Sequence, residues 1–246
     1  MRISRILLGL ALGFGVLAII NSFKEEKHLF ILAGQSNMVH LNPKDRFIPT
    51  LITDFGEKNI SVVKDAHADR AIRNWFKYWD FNEKSNDQSK GLLYNSLISK
   101  VRKVYDKNQY TSVTFVWMQG ESDALEESSD MYEANIRGLL YQLSKDLNRT
   151  DINCVIGRLS DYGFFDNDYK DWHKIRKIQL ALGLADSRNA WVNTDDLNDG
   201  LNAQGNIIQN GFNYSVEGYR TLGERFAKKS IELIHNNKTW FSLISF

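Results

Sequence analysis

The sequence predicts a three-layer α/β/α domain, with a doubly wound and mostly parallel sheet covered by helices on both faces. Short apolar, β-branched runs alternate along the chain with longer segments of helical periodicity. The runs are nearly continuous in apolar residues, which is typical of parallel strands buried on both faces. The polar clusters of the sequence directly follow these runs, as expected where the strands of such a sheet end.

Five runs are the predicted strands: residues 28–33, 60–66, 112–118, 152–159 and 190–194. Three segments between and after them place apolar residues on one helical face. The three faces consist of Leu93, Leu97, Val101 and Val104; Tyr132, Ile136, Leu139, Leu140 and Leu143; and Tyr219, Leu222, Phe226 and Leu233. No repeat or linker-like stretch divides residues 28–246, so we expect them to form one domain.

Composition narrows the class of protein. The chain has 246 residues, of which 43% are hydrophobic, so one large domain can bury a substantial core. The net charge of +1 gives no basic face, and no nucleic-acid partner is expected. The single cysteine, Cys154, cannot form an internal disulfide, and the five histidines lack metal-ligand spacing. We therefore predict no metal and no cofactor.

The first 22 residues have the layout of a secretory signal. Arg2 and Arg5 precede an uncharged run of 15 residues, 6–20, and the charged residues 24–27 follow. About 20 apolar residues are needed for a full membrane span, so the run is short. Residues 1–22 are predicted to be a signal anchor or a cleaved signal peptide, with residues 23–27 as a short linker. Either alternative predicts an extracytoplasmic domain, membrane-anchored through its N-terminal segment or secreted.

Ser36 lies between the first predicted strand and a predicted helix start. A serine in this position can cap the helix. It can instead be a nucleophile whose backbone N–H helps to hold an oxyanion at the positive end of the helix. The strand-Gly-X-Ser pattern by itself leaves both alternatives open.

The neighbouring residues form five blocks in a characteristic order. They are Phe30-Ile-Leu-Ala-Gly-Gln-Ser-Asn-Met38, Trp117-Met-Gln-Gly-Glu-Ser-Asp123, Trp172-His-Lys-Ile-Arg176 with Gln179, Val192-Asn-Thr-Asp-Asp-Leu197, and Gly218-Tyr-Arg-Thr-Leu-Gly-Glu-Arg-Phe-Ala227. Together they resemble the sialate O-acetylesterase-like carbohydrate esterases of the SGNH-hydrolase superfamily, over residues 28 to 228. The resemblance implies a flavodoxin-like fold and, as substrate, an O-acetylated carbohydrate or another small ester.

In that family a serine attacks the acetyl carbonyl, a histidine takes its proton, and an aspartate three residues earlier orients the histidine. The resemblance places Ser36 at the nucleophile position. It also implies that neighbouring residues border the site and contribute to binding: Gln35, Asn37, Gln119, Gly120 and Glu121.

The sequence departs from the family at both remaining positions of the triad. The Asp-x-x-His pair corresponds to Asn210 and Asn213. Because an amide has no basic nitrogen, Asn213 cannot accept the serine proton, and Asn210 supplies no charge. The Gly-Gly pair that usually follows the second strand is also absent, since residues 67–70 are His-Ala-Asp-Arg.

Three functional hypotheses follow. The first is a catalytically impaired, pseudoenzyme-like protein that binds a glycan or serves an accessory role. The second is an active carbohydrate O-acetylesterase whose base has moved to His67, His40 or His173. The third is a membrane-tethered scaffold without catalysis.

Overall fold

The computed structural model describes residues 26–77, 90–163 and 169–244. Its centre is a parallel sheet of five strands in the order β2-β1-β3-β4-β5. The strands are β1 (Lys27–Gly34), β2 (Ile60–Ala66), β3 (Tyr110–Met118), β4 (Asn153–Gly157) and β5 (Asn189–Val192). The predicted fold class is confirmed, and each of the five predicted strands is present with its ends shifted by no more than about two residues.

Seven α-helices occur in the described residues. They are α1 (Ser36–His40), α2 (Phe47–Phe55), α3 (Leu92–Arg102), α4 (Glu121–Leu125), α5 (Tyr132–Leu147), α6 (Lys170–Leu184) and α7 (Val216–Ile244). Helices α2 and α7 pack together on one side of the sheet, while α5 and α6 pack together on the other. Helix α3 joins the second group, since the Tyr94 hydroxyl donates to the Asp146 carboxylate on α5 at 2.7 Å. A two-stranded ribbon, β6 (Gly200–Leu201) and β7 (Ile207–Ile208), precedes α7.

The apolar positions that the sequence predicted supply the core. Residues 29–33 of β1 have no exposed surface, as expected for a central strand covered on both faces. The helical stripes are buried through Leu97, Ile136 and Phe226, among others. Val104 is an exception, because α3 ends at Arg102 and leaves the Val104 side chain 42% exposed.

The strand order creates a crevice at the carboxyl ends of β1 and β3. The chain adds β2 on one side of β1 and then crosses to place β3 on the other side. At such a switch point the connections leave the sheet in opposite directions, and the space between them is where ligands bind in open α/β sheets. The turns that follow β1 and β3 therefore lie side by side.

The N-terminal segment predicted to be a signal, residues 1–22, lies outside the described residues. Lys27, the last residue of the predicted linker, is the first residue of β1. Within the described ranges, no helix combines the length and the apolar character that a membrane crossing requires.

Candidate active site

Two glycines allow the turns after β1 and β3 to pack closely against their neighbours. Gly34 has a φ of 146°, and a Cβ atom at this position would lie 1.9 Å from the carbonyl oxygen of Met118. Gly120 has a φ of 140°, and a Cβ atom there would lie 2.9 Å from Cγ2 of Ile175. A side chain at position 34 would collide with the end of β3, and one at position 120 would collide with Ile175 of α6. Because both backbones also have a positive φ, glycine is required at both positions.

Ser36 is the first residue of α1, and its side chain does not cap the helix. The N-cap position is occupied by Gln35, and no side-chain capping hydrogen bond is present. Ser36 is only 5% exposed, and its Oγ atom has no hydrogen-bond partner among the described residues. The capping alternative is therefore wrong for this hydroxyl. A buried hydroxyl without a partner is costly, which is a common property of functional sites.

A pair of glutamines joins the two turns. The Gln119 side-chain amide donates to Oε1 of Gln35 at 3.2 Å and to the carbonyl of Arg70 at 3.1 Å. The same Gln35 oxygen accepts the backbone N–H of Ser122 at 3.1 Å. These contacts fix the turn after β1 to the first turn of α4. Oε1 of Gln119 is buried and has no partner within the described ranges.

Asn37 links the first turn of α1 to Glu121 and to α7. Its amide nitrogen donates to Oε1 of Glu121 at 2.8 Å, and its amide oxygen accepts the hydroxyl of Tyr219 at 2.9 Å. Glu121 has no exposed surface, and its second oxygen, Oε2, has no partner in the described part of the chain. Burial raises the pKa of the Glu121 carboxyl to about 7, although the hydrogen bond from Asn37 opposes part of this increase.

A second buried carboxyl, that of Asp123, lies on the same short helix α4. Its Oδ2 atom accepts the amide of Gln119 and the backbone N–H of Ile72, the latter at 2.9 Å. Burial raises the pKa of Asp123 to about 6, while the hydrogen bond from Gln119 lowers it in part. The sequence did not single out Asp123 as a site residue. Its fixed contacts with Gln119 and Ile72 indicate that it positions the turn after β3.

Two further polar side chains support the turn after β3 from behind. Gln179 of α6 donates to the carbonyl oxygen of Gln119 at 2.8 Å and accepts the backbone N–H of Leu159 at 2.8 Å. The Tyr132 hydroxyl donates to the same Gln119 carbonyl at 2.7 Å. Gln179 lies in one of the five sequence blocks, whereas the sequence presented Tyr132 only as a member of an apolar helical face.

The loop that carries both asparagines reaches the same edge of the sheet. The carbonyl oxygen of Phe212 accepts from the amide of Asn37 at 3.5 Å, at the limit of a hydrogen bond. Asn210 adopts a left-handed conformation with a φ of 44°, and its Oδ1 accepts the amide of Asn198 at 3.0 Å. Asn213 is exposed. Asn210 and Asn213 therefore belong to the loop that borders Asn37.

All five histidines lie in the described residues, and none of them forms a hydrogen bond with Oγ of Ser36. Nε2 of His67 lies 3.0 Å from Oδ1 of Asp65, an oxygen that also accepts Nζ of Lys100 at 2.6 Å. His40 is exposed, with its ring centroid 5.6 Å from that of Tyr219.

The remaining candidate base, His173, lines a cavity between the end of β4 and α6. Within the described ranges, no group of three or more His, Cys, Asp or Glu side chains is arranged to hold a metal ion.

Solved structures with this fold include two that are named as esterases. A protein from Arabidopsis thaliana is similar with a TM-score of 0.61 and 18% identity, over 84% of this chain and 98% of that chain. A carbohydrate acetylesterase from Xanthomonas citri, XAC1771, is similar with a TM-score of 0.59 and 16% identity. The similarity covers 82% of this chain and 54% of that protein, so this chain spans about half of its length. An acetyl xylan esterase, AlAXEase, is similar with a TM-score of 0.50 and 12% identity, over 82% of this chain and 98% of that chain. At these identities the similarity shows a shared fold.

No protein among the curated sequences matches the chain significantly. The family model for "Carbohydrate esterase, sialic acid-specific acetylesterase" matches residues 39–232. This match includes the blocks around Gln119, Arg176 and Asp195 and the start of α7, and it begins three residues after Ser36. Since it spans more than three-quarters of the chain, this protein belongs to the sialic acid-specific acetylesterase family of carbohydrate esterases.

Proposed function

We propose that this protein binds an O-acetylated carbohydrate at the carboxyl ends of β1 and β3 and hydrolyses it slowly, as a catalytically impaired member of its family. The observation that carries the proposal is the hydroxyl of Ser36, which is buried in the crevice without a hydrogen-bond partner among the described residues. The remaining polar groups of the crevice are held in place by the contacts of Gln119 and Asn37.

The proposed impairment is a problem of proton transfer. A serine hydroxyl is a weak nucleophile at neutral pH unless an adjacent base accepts its proton. In hydrolases with a Ser-His-Asp triad, loss of the histidine lowers kcat by about a millionfold, and replacement of the aspartate by asparagine lowers it by about ten-thousandfold. Asn213 and Asn210 occupy those positions here, so we expect damage of the same order.

The test is acetate release from aryl acetates and from O-acetylated sugars, measured on the protein and on its Ser36→Ala variant. We expect slow release together with saturable binding of the acetylated sugar, and binding should persist in Ser36→Ala. Rapid release that Ser36→Ala abolishes would contradict the proposal, as would the absence of any binding to acetylated sugars.

A second candidate is an active esterase that uses His67 as its base. The supporting observation is the 3.0 Å contact between Nε2 of His67 and Oδ1 of Asp65, because a carboxylate orients the catalytic imidazole in many hydrolases. The same carboxylate oxygen also holds Lys100, and His67 does not bond to Ser36. The His67→Ala variant distinguishes the two candidates. It would abolish the activity of an esterase that uses His67 as its base, and it would leave the slow hydrolysis by an impaired esterase unchanged.

We also propose that the domain works outside the cytoplasm. The support is the order of charges and apolar residues in the first 27 residues, with Arg2 and Arg5 before the apolar run. Fusion of a reporter that is active only outside the cytoplasm to the C-terminus tests this location. An inactive reporter on a fully expressed fusion would contradict it.

A further inference from the structure

The loop that follows β2, residues 67–70, is held against both turns of the crevice. The backbone N–H of His67 donates to the carbonyl oxygen of Gly34 at 3.0 Å, which ties the start of the loop to the end of β1. The carbonyl oxygen of Arg70 accepts the side-chain amide of Gln119 at 3.1 Å, which ties the end of the loop to the turn after β3. The two middle residues of this loop therefore lie beside the crevice.

Asp69 is the charged residue in the middle of this loop. Its backbone has a φ of 54°, a left-handed conformation that is uncommon for residues other than glycine but that aspartate tolerates better than most. Asp69 is exposed, and its carboxylate forms no ion pair with any described residue, the neighbouring Arg70 included. The loop therefore places an exposed negative charge next to the crevice.

The charge of Asp69 also acts on the buried part of the crevice. Burial is the largest cause of the raised pKa of Glu121, and the negative charges of Asp123 and Asp69 raise it further. These are the two charges that affect the Glu121 carboxyl most, and both have the same sign. The positive charge of Arg70, although adjacent to Asp69 in the chain, has a smaller effect on Glu121 than either of them. The surroundings of Glu121 are therefore negative.

Three neighbouring groups that can carry a positive charge contact other carboxylates. Arg73 pairs with Glu126, in the segment that follows α4. Nζ of Lys100 lies 2.6 Å from Oδ1 of Asp65, and Nε2 of His67 lies 3.0 Å from the same oxygen. Their charges are balanced by these partners and do not offset that of Asp69.

We infer that the crevice selects uncharged O-acetylated sugars, and that Asp69 is a specificity-determining residue that disfavours anionic ones such as O-acetylated sialic acids. A sugar acid would bring its own carboxylate towards that of Asp69, and like charges repel. Repulsion of the wrong ligand is a common source of specificity. The inference rests on the proposed function and adds the charge of the substrate to it, which separates this chain from the sialic acid in the description of the matching family.

The test is calorimetric titration of the full-length protein, at low salt, with an O-acetylated N-acetylneuraminic acid and with its C1 carboxamide. The two ligands have nearly the same shape and differ in charge. We expect the carboxamide to bind about threefold more tightly than the acid, or better, and the difference to shrink as salt increases. Equal or tighter binding of the acid would overturn the inference.

A third ligand, 6-O-acetylglucose, separates this inference from the proposed function. Binding of 6-O-acetylglucose with no binding of either sialic acid derivative would overturn the inference, because shape and not charge would then exclude the acid. The proposed function would stand in that case. Absence of binding by all three ligands would contradict the proposed function and the inference together.

Variants assign the effect to Asp69. Asp69→Asn removes the charge, keeps the shape of the side chain and tolerates the left-handed φ, so the acid should then bind within about twofold of the carboxamide. Asp106→Asn is the matched control, because Asp106 is also exposed but precedes β3, at the opposite edge of the parallel sheet. It should keep the preference of the parent. An unchanged preference for the carboxamide in Asp69→Asn would overturn the role of Asp69.

Discussion

The amide nitrogen of Asn37 lies 2.8 Å from a carboxylate oxygen of Glu121, and this contact joins the first turn after β1 to the first turn after β3. The two residues are 84 positions apart in the sequence. Glu121 is fully buried, and the contact from Asn37 satisfies only one of its two oxygens. Ionisation of a carboxyl group buried in this way costs free energy of folding, so the folded state favours its protonated form.

Glu121→Gln should reduce the dependence of stability on pH. The pKa of Glu121 is raised to about 7 in the folded state from the ordinary value of 4.5. Between these two pH values the folded protein holds a proton that the unfolded chain has released. The stabilisation from this group is present below its unfolded pKa and is lost as the pH rises through 7. The loss amounts to about 3 kcal/mol. Denaturant unfolding at several pH values between 5 and 8 should show a shallower decrease for Glu121→Gln than for the parent.

The control for this experiment is Glu133→Gln, at an exposed position where Glu133 pairs with Arg137. It should leave the pH profile of the parent unchanged. Asp123 contributes a decrease of the same sign and remains in both variants. An identical slope in Glu121→Gln and the parent would contradict the assigned pKa shift.

Ser36→Ala should leave the free energy of unfolding unchanged or raise it by up to about 1 kcal/mol. The reason is that it removes a buried hydroxyl without a hydrogen-bond partner in the described residues. Ser215→Ala provides the contrast, since Oγ of Ser215 accepts the backbone N–H of Gly218 at 3.0 Å in the first turn of α7. Loss of that cap should cost about 1 kcal/mol. Equal destabilisation by both substitutions, measured by urea unfolding, would be inconsistent with the observed role of Ser36.

Gly34→Ala should destabilise the protein by about 3 kcal/mol or more, because its Cβ would collide with the backbone carbonyl of Met118 at a left-handed φ. Gly205→Ala is the matched control. Gly205 has a φ of 79°, but its Cβ would meet no atom within 4 Å, so only the backbone strain of about 1 kcal/mol applies. Thermal unfolding compares the two variants, and a cost for Gly34→Ala no larger than that of Gly205→Ala would refute the steric argument.

The sequence predicted the strands of the parallel sheet well because they depend on local patterns. Continuous apolar runs identified all five strands of the parallel sheet but not the short ribbon of β6 and β7, and the turns that contain Gly34 and Gly120 follow β1 and β3 as expected. The contact between His67 and Asp65 is consistent with strand alternation, but the sequence could not establish that the two side chains meet.

Other features depend on long-range packing that no sequence spacing reveals. Arg158, Arg176 and Asp195 come from three separate segments, and only the fold brings them together. The burial of Glu121 and the hydrogen bond from Tyr219 to Asn37 likewise depend on how α4 and α7 dock against the turn after β1.

We expect hydrolysis to be restored when the crevice regains the two groups proposed to be missing, the base and the carboxylate that orients it. Asn210→Asp keeps the shape of the side chain, and an aspartate also tolerates the backbone φ of 44° at this position. Asn213→His introduces the imidazole at an exposed position. We expect the double variant to release acetate at least about a thousandfold faster than the parent, with little gain in Asn210→Asp alone.

The decisive measurement is acetate release by the Asn210→Asp/Asn213→His variant, with Asn210→Asp/Asn213→Gln and an added Ser36→Ala as controls. We expect rapid release from the double variant and only slow release from both controls, which lack the imidazole or the Ser36 hydroxyl. A folded double variant that is no faster than the parent, or a gain that persists after Ser36→Ala, would contradict it.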